Sequence, residues 1–427
     1  HQHHNNGRFY YFSPFYSKGH QIKNCVEFEG DFYDFVFDGN KSVLVYVSKN
    51  SLYNGKFLSK FEEYVENLHE VRSDEALEII ETIRVLVGAD EQEHYSNLIE
   101  LMKKGVVIHH GSVPLEVRFL IERFIKRRFA KICFATSTLA QGINMPFDVV
   151  WLHSMNMLGG TDEDKSLSLK NLVGRSGRLG SEESFDYGFV FTRNARLFSE
   201  RMSSSYSLSE TSYIDNTEGL DEGDDLELAE SIRDGTFDQE KQMPLSKLDR
   251  LKDARSIDAA REVIEAVYDR GSGQKRDLSG SSNFSFRKQV FSGLRILFEC
   301  SLGRSLFEGE RAVFEEAIGI LVHIFNGRSF REVVGMRYAR LVDGKTNVKG
   351  NVNFLPEALK LPNATRKVPI PLYGYSFKPS DVSYDTVVFD TYDYFDQVIS
   401  FSLKDVFIAA FSVYMEKEKD SLAGPMN

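Results

Sequence analysis

The stretch VVIHHGSVPLEVRFLIERFIKRRFAKICFAT, residues 106–136, decides the fold class of this chain. It opens with the short apolar run 106–111 and closes with a second one at 131–136. Between them, Val117 to Lys126 has the apolar spacing of a helix. A strand, a helix and a second strand in this order predict two parallel neighbours in one sheet.

The same alternation continues on both sides of this stretch. SVLVYVSK (42–49), VVWLHS (149–154) and YGFVFT (187–192) are further short runs of strand type, and helical patterns cover 56–104 and 167–173. Alternating strands and helices predict an α/β fold with a doubly wound parallel sheet. Ligands bind such sheets at the carboxyl ends of the strands.

Composition and net charge limit the partners and the cellular compartment that we expect. The 427 residues carry a net charge of −11, which argues against a protein coated in nucleic acid but permits a locally basic channel. Three cysteines form no CxxC pair or disulfide framework, so we expect a cytoplasmic protein. The longest apolar run, Val406–Met415, is half the length of a membrane span, so no membrane partner is expected.

Two arginines in NLVGRSGRLG (171–180) are the strongest candidates for chemistry. Arg175 and Arg178 are three residues apart and point the same way on one helical turn, and each directly follows a glycine, Gly174 or Gly177. Two guanidinium groups on one face suit a polyphosphate. A surface helix start with two solvated arginines is the alternative.

Two further stretches follow strands of the sheet. In FATSTLAQGINMP (134–146), the hydroxyls that begin at Thr136 suit a nucleic-acid phosphate, and Gly142 permits a tight turn. In HHGSVPLEVRFLIERF (109–124), Arg118 lies about two helical turns after the histidines. No further ligands are evident near those histidines, so no metal site is predicted.

Together these stretches resemble motifs IVa, V and VI of the second RecA-like domain of superfamily 2 helicases, and SVLVYVSK resembles motif IV. The branch that they resemble most is the Ski-like (superkiller-type) one. The resemblance implies an ATP-dependent, nucleic-acid-binding hydrolase with Arg175 and Arg178 as catalytic arginine fingers.

The resemblance also implies the roles of the other site residues. Those on the nucleotide side are Gly142, Asn144, Asn171 and Gly174, and those on the nucleic-acid side are His110, Gly111, Arg118, Thr136 and Thr138. The family usually has Gln where Asn171 stands. The shorter amide keeps the chemistry but has less reach.

A helicase of this type also needs a first RecA-like domain, with a phosphate loop GxxxxGK[ST] and a DExH box for Mg²⁺. Neither motif occurs in this sequence. We therefore expect this chain to be the C-terminal half of a helicase or translocase for DNA or RNA, inactive alone. Two alternatives remain open: a non-catalytic module that binds or regulates a partner or effector protein, and one chain of a split helicase.

The predicted domains follow from these patterns. Residues 1–41 would be a connector or the end of a first domain, and 42–200 the second RecA-like domain. Residues 201–244 would be an acidic flexible segment, with twelve acidic side chains and one arginine between 210 and 240. Residues 245–342 would be helical, and 343–427 a β-containing insertion with a C-terminal helix from about Tyr394.

The C-terminal region has its own basic candidates. Arg328, Arg331, Arg337 and Arg340 would form either a basic stripe for backbone contacts or a solvated helix face. The patterns after residue 245 resemble the helical bundle that follows the core of Ski-like helicases. They also resemble antiphage helicases of the Hachiman type, which implies a role in antiviral defence.

Overall fold

The chain forms two compact units, residues 1–208 (unit 1) and 209–427 (unit 2). The structure is a computed structural model and describes residues 10–11, 26–27, 34, 41–53, 55–136, 147–157, 161–174, 189–192, 194–205, 224–269, 271–342, 361 and 382–422. Of the site residues that the sequence predicts, Arg175, Arg178, Gly142, Asn144 and Thr138 lie outside these ranges.

Unit 1 is built around a parallel sheet. Two short strands, β1 (Tyr10–Tyr11) and β2 (Val26–Glu27), pair with each other. The main strands are β3 (Val43–Tyr46), β4 (Val106–His109), β5 (Ile132–Ala135), β6 (Val149–Leu152) and β7 (Phe189–Thr192). Their order is β4-β5-β3-β6-β7, and all are parallel. The predicted α/β class is confirmed, and the sheet is consistent with a RecA-like fold.

The helices that the structure describes in unit 1 lie between these strands and after β7. They are α1 (Lys49–Tyr53), α2 (Glu62–Glu66), α3 (Asp74–Val87), α4 (Asn97–Lys103), α5 (Leu115–Lys126), α6 (Asp162–Val173) and α7 (Ala195–Ser203). The predicted helix 117–126 begins two residues earlier, at Leu115, with Pro114 as its N-cap residue. The predicted helix 167–173 begins five residues earlier, where Thr161 and Asp164 form a capping box.

Every residue of β3 to β6 is buried, as expected for a sheet covered on both faces. Phe57, Phe61, Phe134 and Trp151 pack edge to face with ring centroids 4.8–5.3 Å apart. Each such pair contributes about 0.5–1.5 kcal/mol beyond the area it buries. This aromatic cluster joins the sheet to the chain that follows β3.

A polar clamp holds the amino ends of the central strands. The carboxylate of Asp148 accepts hydrogen bonds of 2.7 Å from both the backbone N–H and the hydroxyl of Ser42. Arg128, which adopts a positive φ of 62°, lies 3.3 Å from the same carboxylate. The clamp therefore joins the residues that precede β3 and β6.

Unit 2 is mostly helical. Its elements are α8 (Asp224–Arg233), the antiparallel pair β8 (Phe237–Asp238) and β9 (Met243–Pro244), α9 (Leu245–Leu251), α10 (Ala254–Val267), α11 (Phe284–Leu302), α12 (Glu308–Phe325), α13 (Phe330–Val342), α14 (Tyr384–Asp393), a π-helix (Tyr394–Leu403) and α15 (Lys404–Leu422). Gly293 of α11 allows close approach to α10, since an added Cβ would overlap the Val263 side chain.

The acidic segment differs from the prediction in its second half. Residues 224–244 form α8 and the β8–β9 pair rather than a flexible chain. Glu227 pairs with Arg250 at 2.9 Å, and Ala229 is buried. These contacts stabilise a helix whose many carboxylates otherwise suggest a solvated chain. Most of the predicted insertion, 343–381, lies outside the described residues.

The predicted basic stripe is interrupted by a buried ionic network. Arg337 is 3% exposed and donates to Glu316 Oε1 at 2.7 Å, Thr391 Oγ1 at 2.6 Å and Asp390 Oδ2 at 2.7 Å. Arg340 also pairs with Glu316. Arg337 therefore joins α12, α13 and α14 within unit 2, because its acidic partners are on neighbouring helices.

The C-terminal helical segment begins ten residues before the predicted start at Tyr394. By length and composition alone, Tyr384–Lys419 is long and apolar enough to cross a membrane, with a mean hydropathy of 1.6 in its most apolar 18-residue window. The sequence prediction considered uninterrupted apolar runs and did not find this segment. Asp390 and Thr391 are fully buried against other helices of unit 2, as in a helix that packs within a protein core.

Candidate functional site

The candidate site lies at the carboxyl ends of the unit 1 strands. The register aligns His109, Ala135, Tyr46, Leu152 and Thr192 in one row across the five strands. The residues that follow this row form the edge at which parallel sheets bind ligands. The predicted residues His110 and Thr136 both lie there, each directly after its strand.

The ring of His110 is only 1% exposed and stabilises the turn formed by residues 110–113, which we call the His110 turn. The backbone N–H of Ser112 donates to its Nδ1 at 3.1 Å, and the Val113 N–H donates to its carbonyl oxygen at 3.1 Å. Burial lowers the pKa of His110 well below 6.5, and the charges of Lys49, His109 and Arg118 lower it further. The ring is therefore neutral at pH 7, with its proton on Nε2.

The causes of the pKa shift of His110 also show which charged groups lie near it. Lys49 follows β3 and Arg118 lies on α5, and both disfavour a proton on His110. Two cations from different elements thus give this part of the edge a positive potential, which favours anionic ligands. Gly111 lies beside His110 and is half-buried, as is Arg118.

Thr136 is 7% exposed and is tied to the neighbouring strand end, since its N–H donates to the His109 carbonyl oxygen at 3.3 Å. The side chain of His109 contacts helix α5. Its Nε2 lies 3.3 Å from Glu122 Oε1, and both residues are buried. This pair links α5, which carries Arg118, to the end of β4.

A second anchored segment follows β6. The hydroxyl of Tyr46 donates to the Asn156 carbonyl oxygen at 3.1 Å, and Arg201 donates to the Met155 carbonyl oxygen at 2.6 Å. Burial raises the pKa of Tyr46 to about 12, although Arg201 opposes this rise. The phenol stays protonated and keeps its donor role.

Helix α6 ends next to the predicted arginine fingers. Asn171 is exposed on its last turn, and Gly174 is the exposed C-cap, directly before Arg175. A Cβ on Gly174 would lie 3.2 Å from the Lys170 carbonyl oxygen, so a side chain there would crowd the helix end.

Tyr46, Glu122 and Arg201 were not predicted to belong to the site. Glu122 follows His109 by thirteen residues, and the strand-to-helix pattern could have suggested its contact with the strand end. No sequence pattern indicated the contact of Arg201, because it donates to a backbone carbonyl oxygen 46 residues earlier. Among the described residues, no group of three or more His, Cys, Asp or Glu side chains could hold a metal ion.

No protein-family model matches the chain. The chain is 26% identical over 157 residues to the ATP-dependent DNA helicase Hel308 of Thermoplasma acidophilum, covering 36% of this chain and 21% of that protein. It is 30% identical over 158 residues to the Hachiman protein HamB of Bacillus cereus, covering 36% and 13%. It is 32% identical over 98 residues to the mouse Superkiller complex protein 2, covering 22% and 8%.

These matches have modest identity, and the chain covers no more than about a fifth of each of these three relatives. They agree with one another and with the motifs in unit 1, since Hel308 and Superkiller proteins both recur among the relatives. The parallel sheet, the placement of His110 and Thr136 and the relatives are all consistent with a superfamily 2 helicase of the Ski-like branch.

Proposed function

We propose that this chain contains the second RecA-like domain of an ATP-dependent nucleic-acid helicase or translocase. The observation that supports this most directly is the carboxyl edge of the unit 1 sheet. There, Thr136 and the His110 turn lie side by side on adjacent strands, in a positive potential from Lys49 and Arg118. Such an edge suits phosphate groups.

In this proposal, Arg175 and Arg178 act as arginine fingers on ATP. A guanidinium group stabilises the charge that develops on a transferring phosphoryl group, which contributes about 10³–10⁵ in rate. The phosphate loop and the carboxylates for Mg²⁺ would belong to a first RecA-like domain, in the same chain or another. Asn144, Gly142, Asn171 and Gly174 would line the nucleotide side.

The nucleic-acid strand would contact Thr136, Thr138, Gly111 and Arg118. Because the His110 ring is buried, we infer that it shapes the turn, which would offer backbone N–H groups rather than a side chain. Both DNA and RNA fit this chemistry, since the contacts are to phosphates. A role in antiviral defence, in the cytoplasm, is part of the proposal on the strength of the Hachiman resemblance.

The test uses a preparation that also contains a first RecA-like domain. Arg178→Ala should lower nucleic-acid-stimulated ATP hydrolysis by about 10³-fold or more, with strand binding changed less than about twofold. Arg196→Ala is the matched control, because Arg196 is an exposed arginine of the same unit that pairs only locally with Glu200. Equal ATPase rates for the two variants would refute the arginine-finger role.

The alternatives from the sequence analysis give a second candidate function. The chain would then be a binding or regulatory module, or one subunit of a split helicase. A pure binding module would tolerate loss of both Arg175 and Arg178. Co-purification with an ATP-binding subunit would separate the split helicase from the module.

A further inference from the structure

Helix α3 of unit 1 has an outer face that combines apolar and charged side chains. Its exposed residues form two adjacent rows with a spacing of four, and these rows consist of Leu77, Glu81, Val85, Glu78, Thr82 and Leu86. The three apolar residues of these rows are each at least 39% exposed. Single exposed apolar residues are ordinary, but several on one face are typical of an interaction surface.

The charge of the α3 face is negative. Asp74, Glu78 and Glu81 are exposed, and Arg84 is the cation of this helix. Arg84 donates from its Nε to Glu81 at 2.7 Å. Its hydrogen bonds to Glu81 raise the pKa of Arg84 most, and the charge of Glu91 raises it further. Carboxylates therefore outnumber the cation on this face.

Helix α5 has an outer face of the opposite sign. Leu115 and Phe119 are exposed on its first two turns, and Phe119 is 59% exposed. The exposed charged residues of this helix and its C-cap are Glu116, Arg123, Lys126 and Arg127. The face therefore begins with apolar side chains and ends with cations.

Helices α3 and α5 are neighbours within unit 1. Arg123 and Arg127 on α5 lie 2.7 and 3.2 Å from Glu75 Oε1, on the first turn of α3. The lengths of the two helices also match, since 14 and 12 residues span about 21 and 18 Å. Each copy of the chain therefore carries the two faces side by side.

The order of the groups along each helix fits an antiparallel pairing between two copies. On α3 the carboxylates precede Val85 and Leu86, whereas on α5 the apolar residues precede the cations. Antiparallel packing of α3 on α5 of a second copy thus places apolar groups against apolar groups and carboxylates against cations. A twofold axis repeats the contact, because each copy supplies both helices. We propose that the chain forms a twofold dimer in which the α3 face of each copy docks on the α5 face of the other.

Sedimentation equilibrium of the 427-residue chain at low salt, without ATP or nucleic acid, tests this proposal. The weight-average mass should rise from 48.8 kDa toward twice that value as the concentration increases from about 1 to 100 µM. Added salt should weaken the association, because it screens charges at an exposed interface.

Two charge-reversal variants test the pairing of α3 with α5. Glu78→Lys/Glu81→Lys places cations on both faces, and Lys126→Glu/Arg127→Glu places carboxylates on both. Each variant alone should stay at 48.8 kDa over the same concentrations. An equimolar mixture of the two variants should form the dimer again, because both contacts then join opposite charges.

Matched charge reversals elsewhere in the chain serve as controls. Glu62→Lys/Glu63→Lys changes the net charge equally at exposed glutamates of α2, and Arg311→Glu/Lys417→Glu does so at exposed cations of unit 2. Both variants should associate within about twofold of the parent, since they lie outside the two faces. Far-UV circular dichroism checks that every variant is folded.

A single aromatic residue tests the apolar part of the contact. Phe119→Ala should weaken dimerisation about tenfold, because a large side chain buried at an interface often contributes more than 1 kcal/mol. Phe307→Ala in unit 2 removes a side chain of the same 59% exposure and should leave dimerisation unchanged.

A parent chain that stays at 48.8 kDa up to about 100 µM would overturn the proposal. A mixture of the two charge-reversal variants that remains monomeric would also overturn it, because the pairing of α3 with α5 requires recovery. A third contrary result is a monomeric parent that binds an amphipathic peptide of lysine and leucine and loses this binding in Glu78→Lys/Glu81→Lys. The α3 face would then fit a basic segment of another protein rather than a second copy.

Discussion

Replacing Arg337 with methionine removes the cation from the buried network of unit 2. Glu316 is 9% exposed and Asp390 is fully buried, and each accepts a hydrogen bond of 2.7 Å from Arg337. Methionine fills a similar volume but leaves both carboxylates without this partner. Breaking a buried pair in this way costs about 3–5 kcal/mol.

The change should be visible in urea unfolding followed by far-UV circular dichroism at pH 7. For a denaturant dependence of about 2 kcal/mol per molar urea, the midpoint for unit 2 should fall by about 2 M. Arg331→Met is the control, since Arg331 lies on the same helix but is exposed. Its midpoint should remain within about 0.3 M of the parent.

A triple variant separates lost charge pairing from lost packing. Arg337→Met with Glu316→Gln and Asp390→Asn leaves no buried ionised group at this position. It should recover at least half of the stability that Arg337→Met loses, because replacing a whole buried network costs less than breaking it. Equal midpoints for Arg337→Met and Arg331→Met would refute the argument that this network stabilises unit 2.

Two further predictions concern unit 2. Burial raises the pKa of Asp390 from 3.8 to about 6, against the opposing effect of Arg337. The folded state therefore holds this proton more tightly, and the stability it contributes is present below pH 3.8 and lost as the pH rises through 6. Relative to Asp390→Asn, the free energy of unfolding of the parent should fall by about 2.4 kcal/mol between pH 4 and 7, and parallel pH profiles would contradict this. Gly293→Ala should destabilise the α10–α11 contact by about 1–3 kcal/mol in the same urea assay, and adding Val263→Ala should restore part of that loss. No recovery in the double variant would argue against the overlap.

The parallel sheet could be predicted because its strands carry a local signal. Val43–Tyr46 and Val149–Leu152 are short apolar runs, and a strand buried on both faces needs no alternation. The pattern therefore identified the strands and, through their ends, the positions of His110 and Thr136. The strand order required the structure, since nothing in β3 alone indicates that it pairs with both β5 and β6.

The network around Arg337 shows why part of unit 2 could not be predicted. Arg337 lies on the same helix as the exposed Arg331, and its partner Asp390 is 53 residues later. Helical spacing identifies a face but not the neighbour that covers it. The acidic helix 224–233 could not be predicted for the same reason. Its Glu227 pairs with Arg250, which lies 23 residues later in the sequence.

The candidate site could be predicted from the sequence only in part. His110 could be placed at the edge from the sequence, but its burial and the neutral ring follow from the packing of α5 and the charges of Lys49 and Arg118. The roles of Arg175 and Arg178 stay predictions.

The strand order has a consequence for the folding of unit 1. The central strand β3 comes first among the five, but its partners are β5 and β6, and the Asp148 that clamps Ser42 lies 106 residues later. During synthesis, the uncharged segment Val-Leu-Val-Tyr-Val therefore emerges long before either neighbouring strand. Long-range parallel pairing of this kind is slow and leaves strand edges exposed to other chains. Any shortened version of unit 1 that ends before Leu152 would leave this segment uncovered on one side and prone to aggregation.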